Sequence, residues 1–139
     1  MKDYIRKINY YETDKMGITH HSNYVRFMEE ARIDYLEQVG CGYARWENDG
    51  IVSPVIGLEC TYRRPTSFGD ELRICVAVTE YKRLKLTVSY TMYDMKTGET
   101  VFIGKSHHCF LNAEGKPIAL ARQFPEYDEI LKTHLVSEE

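Results

Sequence analysis

The chain has 139 residues, of which 43% are hydrophobic, and a formal net charge of -3. This length suffices to bury one core, so we expect a single domain over residues 1–139. The acidic balance and the scattered basic residues exclude a general attraction to nucleic acid, and no apolar run approaches the roughly 18 residues that span a bilayer.

The four cysteines stand far apart and form no CxxC pair: Cys41, Cys60, Cys75 and Cys109. The N-terminus, Met1 to Tyr4, lacks the apolar core of a signal peptide. Together these features favour reduced thiols and a cytoplasmic location.

The first element is a strand predicted at residues 4–11, where β-branched and aromatic side chains are frequent. From Tyr24 onward, apolar residues recur at the spacing of one helix face and predict an amphipathic helix over residues 24–39. Ser22 or Asn23 is expected to cap its start and Gly40 to end it. An irregular or helical piece is predicted at 41–50. Four strand patterns follow, at 51–62, 71–81, 84–94 and 100–111. A short last helix is predicted at 124–135.

The order β-α-β-β-β-β predicts an α+β fold. The long helix can bury its apolar stripe on the concave face of a curved, five-stranded, mainly antiparallel sheet. Such a sheet keeps an open edge, which a second copy can cover by strand pairing, so we expect a dimer with a continuous sheet.

Residues 10–24, YYETDKMGITHHSNY, place a carboxylate and two histidines in a turn-rich segment just before the helix. A carboxylate at this position meets the free amides of the helix start, so an acid and oxyanion-binding donors can lie side by side. Each residue also has a structural interpretation. Asp14 is suited to an Asx turn, His21 to capping or packing, and Tyr10 to a core.

This run, together with FMEEAR at 27–32, resembles the 4-hydroxybenzoyl-CoA thioesterase-like hotdog enzymes, in particular the acyl-CoA thioesterase branch associated with the Tol-Pal cluster. YRRP at 62–65 and FGDEL at 68–72 resemble the same family's strand connection. The resemblance implies a hotdog fold and a homodimer or homotetramer. It also implies hydrolysis of an acyl-CoA, or aromatic acyl-CoA, in a cleft between subunits.

The resemblance assigns the catalytic carboxylate to Asp14, with His21 and Tyr10 as its catalytic neighbours. Asn23 and Tyr24 match the family's helix start, where a backbone N–H polarises the thioester carbonyl. Two positions depart from the family pattern: Glu12 stands where many relatives have aspartate, and His20 where an aromatic or small residue is usual. Tyr24 and Phe27 lie near the motif and are candidates to line the acyl pocket.

A thioester is more electrophilic than an oxygen ester and releases a thiolate that needs little protonation. One carboxylate and an oxyanion site therefore suffice, and we expect neither a metal nor another cofactor. Asp14 has two routes open, direct attack to give a mixed anhydride or general-base activation of water. For the CoA phosphates we rank Lys82 and Arg83 first, beside Lys85, with Arg63 and Arg64 at a second turn.

Two other functions stay open on the sequence: hydrolysis of an acyl carrier protein thioester, and a non-catalytic hotdog dimer that binds acyl thioesters. His107 and His108 are adjacent on a strand and face opposite sides of it, so they are expected to be structural or solvated rather than metal ligands. Glu29 and Glu30 alternate with arginines and are expected on a solvated or interface face.

Overall fold

The computed structural model describes residues 1–137 and is built around one long helix, α1 (Asn23–Val39). Its apolar face is buried by Tyr24, Phe27, Met28, Ala31, Tyr35 and Leu36. Gly40 ends the helix in the left-handed conformation, at φ 93°, which glycine adopts without steric cost. The predicted helix and its C-terminal stop are confirmed.

Five strands form one antiparallel sheet: β1 (Tyr4–Lys7), β2 (Val55–Tyr62), β3 (Glu71–Lys82), β4 (Lys85–Asp94) and β5 (Thr100–His108). Their order across the sheet is β1-β3-β4-β5-β2. Tyr4 pairs with Ile74 at one end of this order, and Leu58 pairs with Ser106 at the other. β1 and β2 are therefore the two edges, and the edge of β2 is the longer one.

The core lies between α1 and one face of the sheet, where alternate strand residues such as Ile74, Val88 and Phe102 are fully buried. Each such side chain contributes on the order of 1.5–3 kcal/mol. At Gly104 on β5, an added Cβ would lie 2.7 Å from the Met28 sulfur and 2.6 Å from the Phe102 ring. Any larger residue at this position would displace the buried Met28 or Phe102 side chain, so the packing favours glycine.

Several boundaries differ from the sequence prediction. The first strand ends at Lys7, and a 3₁₀ turn occupies Tyr10–Glu12. β2 begins only at Val55, since Pro54 lacks an N–H to donate to the ladder. Short helices α2 (Tyr43–Asn48), α3 (Leu120–Gln123) and α4 (Pro125–Thr133) complete the chain.

The expected helix cap was wrong. Ser22 holds the N-cap position with helical φ and ψ, and no side chain caps α1. The Asn23 amide instead donates backward, to the backbone oxygens of Glu12 at 2.9 Å and His20 at 3.3 Å. It therefore fastens the preceding loop to the start of the helix.

Within residues 1–137, none of the helices has both the length and the apolar character needed to cross a bilayer. All four cysteines are free thiols. His108 is buried and His107 is half-buried on the opposite face of β5.

Candidate functional site

The loop between β1 and α1 folds back on itself and places Asp14 at the base of a tight turn. Gly17 N–H donates to the Asp14 carbonyl at 2.9 Å, and Asp14 N–H donates to the Ile18 carbonyl at 2.9 Å. Gly17 has φ 79°, a conformation that L side chains rarely adopt. The backbone of Asp14 is thus held from both sides, while its side chain stays half-buried.

The two oxygens of the Asp14 carboxylate have different surroundings. Oδ1 accepts a hydrogen bond from the Met16 amide at 2.8 Å, so the expected Asx turn is present. No residue within 1–137 donates a hydrogen bond to Oδ2. The Met16 amide therefore orients the carboxylate through Oδ1, while Oδ2 has no donor among the described residues.

Asp14 lies in the wall of a cavity of about 300 Å³ at the end of β2. The other lining residues come from the loop, the start of α1 and the segment after β2: Met16, Ile18, Thr19, His21, Tyr24, Tyr62, Arg63, Arg64 and Pro65. The cavity joins a carboxylate, a histidine and two arginines to apolar and aromatic walls. Such a mixture of polar groups and apolar walls suits a small-molecule ligand.

Of the two adjacent histidines, only His21 lines this cavity. Its ring lies edge-on to Tyr62, with centroids 6.3 Å apart, and its carbonyl accepts a hydrogen bond from the Tyr62 hydroxyl at 3.2 Å. His20 is engaged with Ser22, whose hydroxyl lies 2.8 Å from His20 Nδ1. The structure thus places His21 at the cavity and His20 outside it.

Tyr24 is buried beneath the cavity, with its hydroxyl 2.7 Å from Thr66 Oγ1. Thr66 Oγ1 is also 2.7 Å from Thr19 Oγ1, so one buried threonine joins the helix to the loop. Burial raises the pKa of Tyr24, and the hydroxyl therefore stays protonated at neutral pH.

The helix-start amides were expected to polarise the thioester carbonyl. In this structure Asn23 N–H donates to the His20 carbonyl at 3.0 Å, and Tyr24 N–H donates to the His21 carbonyl at 3.2 Å. Both amides are therefore engaged within the turn. The Asn23 side-chain NH2 group donates to two backbone oxygens, and Asn23 does not line the cavity.

Four other predicted site residues lie away from the cavity. Tyr10 is 75% exposed and contacts Phe68 edge-on, and Phe27 is fully buried in the core. Lys82 and Arg83 are exposed at the turn between β3 and β4. β3 has twelve residues, so this turn lies about 36 Å from the strand's start beside the loop.

Glu12 is buried, but it does not line the cavity either. Its two oxygens accept from the Arg6 guanidinium at 2.7 and 2.6 Å, and Oε1 also accepts from the Asn9 amide at 2.8 Å. Hydrogen bonds to Glu30 and then to Glu12 raise the pKa of Arg6 above its usual range. Glu12 thus stabilises the loop through Arg6 and Asn9 without lining the cavity.

Sequence reasoning missed Tyr62 and Thr66 as parts of the site and ranked Arg63 and Arg64 second. Thr66 lies 47 residues from its partner Thr19, and no local pattern signals such a contact. Arg64 forms an ion pair with Glu99. The YRRP run carried the only signal, through its resemblance to the family's strand connection.

Comparisons with known proteins show the family and the fold of this chain. Residues 8–133 match the family model for the thioesterase-like superfamily. The chain is 29% identical over 121 residues to a Bacillus subtilis protein provisionally named acyl-CoA thioesterase YneP, covering 87% of this chain and 88% of that protein. It is 28% identical over 112 residues to the 1,4-dihydroxy-2-naphthoyl-CoA hydrolase of Thermosynechococcus vestitus, covering 80% and 76%.

Among solved structures, a DHNA-CoA thioesterase from Staphylococcus aureus superposes with a TM-score of 0.89 at 32% identity. The match covers 95% of this chain and 89% of that one. An Aquifex aeolicus protein of undescribed function superposes with a TM-score of 0.85 at 30% identity, covering 93% and 98%. The expected α+β hotdog fold is confirmed.

Proposed function

The chain belongs to the thioesterase-like superfamily and is a thioester hydrolase, and we propose that it cleaves an acyl-CoA with Asp14 as the catalytic carboxylate. The observation that carries the proposal is the state of that carboxylate. One oxygen is fixed by the Met16 amide, and the other faces no donor from residues 1–137, in a cavity shared with His21. A positioned but uncommitted carboxylate is what nucleophilic or general-base catalysis requires.

The reaction adds water across the C–S bond. In one route Asp14 Oδ2 attacks the carbonyl carbon, the thiolate leaves, and water hydrolyses the resulting anhydride. In the other, Asp14 takes a proton from water, which attacks the same carbon. Both routes use the uncommitted oxygen of Asp14, directly in the first and across one water molecule in the second, and both release a free acid and CoA.

For the acyl group we propose an aromatic or otherwise flat apolar acid. Two of the similar proteins are named for hydrolysis of a dihydroxynaphthoyl-CoA. The rings of Tyr24 and Tyr62 lie at this cavity in an edge-on pair, 5.4 Å between centroids, and such rings favour flat partners. Membership in the 4-hydroxybenzoyl-CoA-like and Tol-Pal-associated branch remains a proposal that rests on the residue 10–24 motif.

The experiment that tests the function is a hydrolysis assay on short, medium, long and aromatic acyl-CoAs, followed by release of free thiol. We expect turnover, fastest with aromatic esters. If acyl-CoAs were not hydrolysed but the corresponding acyl carrier protein thioesters were, the carrier protein rather than CoA would be the acyl donor. Binding without turnover on any thioester would contradict the proposal and favour the non-catalytic alternative.

For the CoA phosphates, the cavity favours Arg63 and Arg64 over Lys82 and Arg83 within one protomer, because only the first pair lines it. Replacing both Arg63 and Arg64 with methionine is expected to raise KM for acyl-CoA about tenfold with little change in kcat, through loss of charge-assisted hydrogen bonds. The matched control is the double replacement of Lys82 and Arg83 with methionine. A rise in KM confined to that control would show that the remote turn binds CoA.

We also propose that two copies pair along β2. This edge strand pairs only with β5 within residues 1–137, and its side chains Val55, Ile56, Leu58 and Tyr62 are 43–59% exposed. A long apolar edge of this kind is normally covered. Because Tyr62 also lines the Asp14 cavity, a partner on β2 would border the site.

Light scattering coupled to size exclusion tests this pairing. We expect a mass two or four times the 16.3 kDa of one chain. A fully active species of 16.3 kDa would contradict a site completed by a partner. A cytoplasmic location stays a prediction from the sequence.

A further inference from the structure

A second cavity lies at the opposite end of β2 from Asp14, where the chain approaches that strand. Its volume is about 370 Å³, and its lining comes from α1, α2 and the segment before β2: Glu29, Arg32, Ile33, Tyr43, Glu47, Ile51, Val52 and Ser53. We call it the Arg32 cavity. No lining residue is shared with the Asp14 cavity.

Arg32 is only 5% exposed, although it carries a full charge. Its Nε donates to the Tyr43 hydroxyl at 2.8 Å. Its Nη1 donates to the Tyr90 hydroxyl at 3.0 Å and to Ser106 Oγ at 3.5 Å. All of these acceptors are neutral oxygens.

No carboxylate within residues 1–137 lies within 4 Å of the Arg32 guanidinium, and none of these residues accepts a hydrogen bond from Nη2. Arg6 provides the contrast, since its guanidinium contacts both Glu12 and Glu30. A buried charge without a counter-ion is destabilising. The buried charge of Arg32 therefore lowers the stability of the folded chain, whereas the charge of Arg6 is compensated by two carboxylates.

The polar groups behind Arg32 add no compensating charge. The Tyr90 hydroxyl lies 2.6 Å from Ser106 Oγ, which lies 2.7 Å from His108 Nε2. Burial, and then the Arg32 charge, lower the pKa of His108 to about 4, so this ring is neutral at pH 7. Its Nδ1 is buried without a partner among residues 1–137.

The walls of the cavity are mixed. Ile33, Ile51 and Val52 present apolar surface, while Glu29 and Glu47 are exposed side chains at the rim. The two glutamates weaken the attraction for an anion from solution, but water screens them more strongly than it screens the buried arginine.

We propose that the Arg32 cavity binds an organic carboxylate with a flat apolar body. The carboxylate would accept a hydrogen bond from Nη2 of Arg32 and would supply the missing negative charge. Guanidinium and carboxylate groups match each other in geometry. The isoleucine and valine walls would hold the body. Within one protomer the site shares no lining residue with the Asp14 cavity, and its binding can be measured without hydrolysis.

Titration calorimetry of the intact protein with benzoate and 2-naphthoate, and with their uncharged amides, tests the site. We expect saturable binding of the carboxylates and at least tenfold weaker binding of the amides. Arg32→Met should weaken carboxylate binding at least tenfold, whereas Glu47→Gln, which removes a negative charge from the rim, should tighten it. Because Arg32→Met removes an uncompensated buried charge, its melting temperature should equal or exceed that of the wild type.

A second variant keeps the test decisive if Arg32→Met fails to fold. Val52 is 51% exposed, so Val52→Trp can fill the cavity mouth without entering the core, and it should abolish binding. Leu84→Trp, at an exposed turn residue that is 42% accessible, is the matched control and should bind as the wild type does. No saturable carboxylate binding by the wild type would overturn the proposal, as would wild-type affinity in Val52→Trp.

Discussion

Replacing Asp14 with asparagine is expected to lower kcat for acyl-CoA hydrolysis by about 100- to 10,000-fold, the range for catalytic acid–base groups. The Met16 amide donates a hydrogen bond to Asp14 Oδ1 at 2.8 Å. The side-chain oxygen of asparagine can accept the same hydrogen bond. The turn therefore survives, while the charge and the nucleophilic oxygen are lost. Free-thiol release under saturating acyl-CoA measures the effect, with circular dichroism to verify folding.

The chain contains a matched control for this substitution. Asp94 Oδ1 accepts the amide of Lys96 at 2.8 Å, two residues further on, in the same kind of turn, and Asp94 does not line the Asp14 cavity. Asp94→Asn should keep wild-type kcat. If Asp14→Asn and Asp94→Asn behaved alike, Asp14 would be a turn residue without a catalytic role.

Replacing Glu12 with alanine is expected to lower the free energy of unfolding by about 3 kcal/mol. The Glu12 side chain is 3% exposed, and its loss leaves the Arg6 guanidinium with Glu30 as its one remaining carboxylate partner among residues 1–137. It also leaves the Asn9 amide without its acceptor. Urea unfolding of the wild type and variant, extrapolated to water, measures the difference.

The comparison for Glu12 is the exposed ion pair between Arg45 and Glu126, whose side chains are 49% and 71% accessible. Glu126→Ala should cost less than about 1 kcal/mol, because solvent screens such pairs. Equal losses in the two variants would show that the Arg6–Glu12 pair is no stronger than a surface contact. Glu12, which stands where many members of the family have aspartate, is thus expected to stabilise the loop and not to form part of the cavity wall.

Much of this protein could be predicted from local pattern. The helical spacing from Tyr24 onward gave α1 within one residue, because a helix buries one face at a period of 3.6 residues. Gly40 was recognised as its end for a conformational reason that holds in any context. Alternation predicted β3 and β4 nearly to the residue. The carboxylate turn around Asp14 was also visible, since Asx turns form from neighbouring residues.

The predictions that failed did so because contacts between residues distant in the sequence decide these features. Asn23 has the chemistry of a cap, yet its amide reaches Glu12, eleven residues earlier. Lys82 and Arg83 form a basic turn as predicted, but β3 carries that turn away from Asp14. Arg63 and Arg64 reach the same cavity because β2 ends beside the loop.

The sequence by itself determined the element types, the helix with its stop, and a carboxylate turn that resembles a thioesterase motif. These depend on side-chain periodicity and on hydrogen bonds between near neighbours. Only the tertiary structure decided the strand order β1-β3-β4-β5-β2, the presence of Arg63 and Arg64 at the Asp14 cavity, and the burial of Arg32 without a carboxylate partner within residues 1–137. Each of these depends on which distant segments share one packed interior, because burial sets the cost of a charge and no local pattern encodes it.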